Sequence, residues 1–133
     1  MDELNITLSD SYYNQVKLLC LTETWASEAS VYSSQIDGLH LGAYYCRSTF
    51  KAGGVAVFVK NDLHYKSVDL QKFTVEKVFE GCALSLKMHN SKIIMVVVCY
   101  RSPSSNVEAF LTRLNDTLNS LYNSVQHLVV CGD

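Results

Sequence analysis

Residues Ile93 to Tyr100, IIMVVVCY, are apolar at every position, and this run constrains the fold more than any other feature. A strand with one wet face alternates apolar and polar side chains. A strand that never alternates is covered on both faces. Arg101-Ser102-Pro103-Ser104-Ser105 closes the run, and Ser105-x-x-Glu108 has the form of a helix capping box. Beyond it Val107, Phe110, Leu111, Leu114, Leu118, Leu121 and Tyr122 mark one face of an amphipathic helix. Leu128 to Cys131, LVVC, reads as a further strand. Strand, helix and strand in that order predict a right-handed parallel crossover, and with it an α/β fold.

The upstream half is richer in strands. Leu4, Leu8 and Tyr12 recur every fourth residue and predict helix to about Tyr13. Lys17 to Thr22 is a short apolar run, read as a buried strand, and Ser27 to Gly38 is a polar loop or short helix. Gly42 to Ser48 and Gly54 to Lys60 read as a hairpin whose loop holds Gly53-Gly54. Asn61-Asp62 marks a turn. Leu63 to Leu70 and Val78 to Met88 are further strands, the second placing Cys82, Leu84, Leu86 and Met88 on one face. The expected architecture is a single domain over residues 1–133, a mixed sheet with helices on its outer face.

A net charge of −2 and a pI near 6.0 exclude a protein that grips a nucleic-acid backbone through many cations. A nucleic-acid role has to come from a site. The five cysteines are odd in number and form no CxxC pair. Cys20, Cys99 and Cys131 lie inside apolar runs, where a free thiol packs as a small hydrophobe. A reducing, intracellular setting is expected. The start, MDELNITLSD, has no signal-peptide pattern. Ile93 to Cys99, the longest strictly apolar run, is too short to span a bilayer.

Three apolar strands end in polar signatures: LLCL in TETW, MVVVC in YRSP, and LVVC in GD. Ligands in α/β sheets collect beyond the carboxyl ends of strands. If the three strands are neighbours pointing one way, Glu23, Tyr100 and Asp133 converge. A carboxylate on a rigid strand end suits Mg²⁺, which takes oxygen ligands and often needs only one or two protein carboxylates. Such an ion polarises a phosphoryl oxygen. Polar residues end most strands, so position alone leaves a plain structural role open.

Taken together, LLCLTETW, GGVAVFVKND, a strand into CYRSPSS, a helix and LVVCGD resemble, in this order, the endonuclease domain of non-LTR retrotransposons. That domain belongs to the endonuclease/exonuclease/phosphatase superfamily. The resemblance runs over nearly the whole chain. It implies a four-layered α/β sandwich of which this chain is the N-terminal half, and a DNA-nicking activity dependent on Mg²⁺ or Mn²⁺. It implies that Glu23 is a metal ligand and that Tyr100 lies near the scissile phosphate. It further implies that Asp133 positions or deprotonates the attacking water. Arg101 is a candidate contact to the DNA backbone, and the nucleus is the implied location.

The departures bear on what the chain does alone. The resemblance implies an Asn ligand on a strand before the first helix, a Phe-Asn after Gly132-Asp133, and a second half with an Asp ligand and an Asp-His pair. The fragment is therefore expected to be inactive by itself. It is also expected to expose the inner apolar face of its sheet and to self-associate through it. A non-catalytic remnant of a mobile element, or a phosphatase or lipid phosphodiesterase of the same superfamily, are the competing readings. Of the other residues, Trp25 is expected in the core rather than as a base-stacking platform, Gly53-Gly54 in a turn rather than as a phosphate cradle, and Glu80 on an edge strand or supporting the metal site. His40, His64, His89 and His127 are expected to be surface or structural.

Overall fold

The computed structural model describes residues 15–123, 125 and 127–133. The helix expected up to about Tyr13 lies outside them. Among the described residues the chain forms β1 (Leu18–Thr22), α1 (Glu28–Ser33), β2 (Leu39–Tyr45), β3 (Val55–Lys60) and β4 (His64–Val68). It continues with β5 (Glu80–Lys87), β6 (Ile93–Tyr100), α2 (Val107–Tyr122) and β7 (His127–Gly132). This is a mixed α/β fold.

The strands divide into two sheets, not one. The first is antiparallel, in the order β1-β3-β2. The second runs β4-β5-β6-β7, with β6 and β7 parallel and the other neighbours antiparallel. The predicted hairpin forms, Tyr45 opposite Val55. The crossover through α2 joins adjacent parallel strands as predicted.

Alternation explains how the sheets meet. Val55, Val57 and Val59 of β3 cluster with Cys82, Leu84 and Leu86 of β5 and with Val96, Val98 and Tyr100 of β6. The inner apolar face of the four-stranded sheet, expected to be bare, is thus covered by β1, β2 and β3. On its other face Ala83, Met95 and Val97 pack with Leu70 and with Leu121 of α2. On the outer face of the three-stranded sheet Ala56 and Phe58 pack with Val31 of α1 and with Ile36. Apolar area removed from water on both faces of β3, β5 and β6 is the main stabilising contribution, about 25 cal/mol per Å².

Two expectations change at the helix. The N-cap of α2 is Asn106, whose side chain accepts from the Ala109 N–H, so Ser105 is not the capping residue. The buried stripe of α2 is narrower than its apolar stripe: Thr117 and Leu121 are buried, while Val107, Leu111 and Tyr122 are exposed. Val129 and Val130 of β7 are 48% and 42% exposed, and among the described residues β7 is an edge of its sheet.

Candidate functional site

The carboxyl end of β1 is shaped by two residues with unusual backbone. Glu23 and Trp25 have φ of 51° and 52°, the left-handed region. For non-glycine residues such conformations cost on the order of 1–3 kcal/mol and persist only where the surroundings impose them. Here the loop between β2 and β3 imposes them. The Thr24 N–H donates to the Gly54 carbonyl at 3.4 Å and the Trp25 N–H to the Gly53 carbonyl at 2.9 Å. Gly53-Gly54 is therefore more than a turn, because it docks the end of β1. Gly54 also has φ of 86°, and a Cβ there would sit 2.8 Å from Thr24 Oγ1.

The carboxyl ends of β1 and β6 meet across the two sheets. Tyr100 Oη donates a hydrogen bond to Glu23 Oε1. This bond, followed by burial and the negative field of Glu23, pushes the Tyr100 hydroxyl up to about 12. At neutral pH Tyr100 is a proton-bearing donor, not a base. Glu23 itself is exposed, so its carboxylate faces solvent while Tyr100 is buried.

Asp133 reaches the same end of β6 through its backbone. Its N–H donates to the Cys99 carbonyl at 3.2 Å, and its carbonyl accepts from the Arg101 N–H at 2.8 Å. Arg101 turns its guanidinium back on its own turn, Nη1 donating to the carbonyls of Ser102 and Ser105, each at 3.3 Å. The structure therefore brings Glu23 and Tyr100 into contact and fixes the main chain of Asp133 to Cys99 and Arg101, the neighbours of Tyr100 on the chain. Arg101 braces the Pro103 turn.

Beneath Tyr100 lies a buried charge that sequence reasoning placed differently. Glu80 is fully buried and sits directly opposite Tyr100 in the β5–β6 register. It is not an edge-strand charge, since β5 is paired on both sides. Its Oε1 accepts from Arg47 Nε at 2.6 Å and from the Lys77 N–H at 2.9 Å. Its Oε2 accepts from the Gly54 N–H at 2.7 Å. A buried carboxylate is tolerable only when paired and hydrogen-bonded, and these donors meet that need. The signal was present: Glu80 has the same parity as Cys82, Leu84 and Leu86, so extending the alternation by one step puts it inside. Arg47 was not singled out, and nothing local marks it.

Trp25 is 67% exposed, against the expectation of a core position. His40 is a structural residue, its Nδ1 2.9 Å from Asn61 Oδ1 and its ring against Tyr65. His64, His89 and His127 are exposed. The five cysteines are free thiols. Burial raises Cys20, to about 12, and Cys99, to about 11, so neither thiol is poised to ionise.

The donor set at the strand ends is hard oxygen, one exposed carboxylate beside a phenol hydroxyl, which fits Mg²⁺ or Mn²⁺ and not a soft metal. Among the described residues no three His, Cys, Asp or Glu side chains gather into a metal-binding group. No described helix is long and apolar enough to cross a membrane. No family model matches the chain, and no curated protein matches it.

Proposed function

We propose that this chain carries one wall of a divalent-metal phosphodiesterase site of the non-LTR retrotransposon endonuclease kind. The substrate is DNA, the step is hydrolytic nicking linked to reverse transcription, and the place of action is the nucleus. The chain would form the N-terminal half of a four-layered α/β sandwich. The observation that carries this reading is the hydrogen bond from Tyr100 to Glu23, made by two strand ends from different sheets.

Glu23 is the metal ligand, and Asp133 orients or deprotonates the attacking water. Tyr100 keeps its one proton and donates it to Glu23, so a phosphate oxygen that accepted from Tyr100 would have to displace that bond. Arg101 holds the turn after β6, with its charge at the site's border. The ion, when bound, supplies Lewis-acid stabilisation of charge on the phosphoryl oxygens.

A chain with one metal-ligand carboxylate supplies too few groups to complete the reaction. Plasmid DNA incubated with this chain and Mg²⁺ or Mn²⁺ should stay supercoiled. Mn²⁺ should nevertheless bind, read by water-proton relaxation, and binding should fall in Glu23→Gln. Equal Mn²⁺ binding by Glu23→Gln would remove Glu23 from the site. Nicking that survives both Glu23→Gln and Asp133→Asn would have another origin.

A further inference from the structure

We propose that Trp25 is a stacking platform for an unpaired nucleobase beside the Glu23 carboxylate. The inference rests on reading the site as a nucleic-acid phosphodiesterase, and it names the part of the substrate that this chain touches. Trp25 is the sequence's single tryptophan and is 67% exposed. It lies two residues from Glu23, at a backbone position held out of the ordinary regions by its hydrogen bond to Gly53. An indole in water gains nothing from burial. The left-handed backbone weighs against the folded state, and the docking loop keeps it in place.

The loop that docks Trp25 carries a second exposed ring. Phe50 is 46% exposed, its N–H is fixed by Glu76 at 2.8 Å, and Lys77 Nζ stands 3.3 Å from its centroid. Lys77 occupies one face of that ring, so stacking falls to Trp25, and base–aromatic stacking is sequence-tolerant. On that reading, charge bears on how the contact is made. At a net charge of −2 the chain has no backbone grip to offer, so contact with a nucleic acid has to come largely from stacking, which salt screens little. Lipid headgroups and inorganic phosphate offer no ring to stack.

Trp25 reports on its own test, being the only tryptophan. The chain is titrated, without divalent ions, with a single-stranded thymidine oligonucleotide, its duplex, inorganic phosphate, and phosphatidylcholine/phosphatidylserine vesicles. The single strand should quench Trp25 emission more than the duplex, with a shallow salt dependence. Phosphate and vesicles should leave the emission unchanged. By anisotropy of labelled oligonucleotide, Trp25→Ala should weaken binding by roughly tenfold or more, and Trp25→Phe should recover most of it. No quenching by the single strand, equal binding by Trp25→Ala, or a response to vesicles alone would overturn the proposal. A separate Mn²⁺ titration read on Trp25 keeps the two ideas distinct. An emission blind to Mn²⁺ counts against the metal site and leaves the stacking result standing.

Discussion

Tyr100 Oη donates to Glu23 Oε1 across the junction of the two sheets, joining residues 77 positions apart in the chain. Replacing Tyr100 by Phe keeps the buried ring and removes that bond. Hydrogen bonds to charged partners contribute about 1.5–3 kcal/mol when sheltered, and the exposure of Glu23 reduces this. Tyr100→Phe should therefore cost about 1 kcal/mol in urea denaturation. An unchanged midpoint would mean that the contact contributes nothing to stability.

The Arg47–Glu80 pair should show unequal partners. Removing either leaves a buried charge unmatched, a loss of about 3–5 kcal/mol. Glu80→Ala also strands the N–H groups of Gly54 and Lys77. It should be the more damaging of the two and should loosen the loop that holds Trp25. Equal losses for Arg47→Ala and Glu80→Ala would show that the backbone bonds to Glu80 are energetically idle.

Gly132 has φ of 144°, and a Cβ there would overlap the Cys99 carbonyl oxygen. Gly132→Ala should push the main chain of Asp133 off β6. The readout is amide exchange at Arg101, whose N–H donates to Asp133. Exchange should accelerate, and protection equal to that of the parent would refute the clash.

Acid should act locally through Glu76. Burial alone would raise its carboxyl, but hydrogen bonds from the N–H groups of Phe50 and Thr49 and from the Ser48 hydroxyl hold it below its ordinary value. A depressed carboxyl stabilises the fold above its unfolded value, and that contribution is lost as pH falls through the folded one. The Thr49 and Phe50 amide resonances should shift together only once the pH falls below the ordinary carboxylate range. Glu76→Gln should abolish the coupled shift, and its persistence would assign the transition elsewhere.

Self-association should use β7 and not the inner sheet face. An edge strand with exposed Val129 and Val130 presents unpaired backbone groups with apolar flanks. Sedimentation should show concentration-dependent growth in the parent that Val130→Lys suppresses. A parent that stays monomeric throughout would refute association through this edge.

Sequence by itself determined most of the elements. The unbroken run Ile93–Tyr100, the Gly-marked hairpin and the apolar spacing after Ser105 are local patterns, and local patterns report which residues share a face. Tertiary structure decided what covers each face. Two sheets formed where one was expected, because the partner of a strand is set by contacts far along the chain. The same non-local packing buried Glu80 against Arg47, which adjacent residues do not reveal. It narrowed the buried stripe of α2 to what the sheet could reach. It also left Trp25 outside, because the turn after β1 is fixed by Gly53-Gly54 and not by the apolarity of the indole.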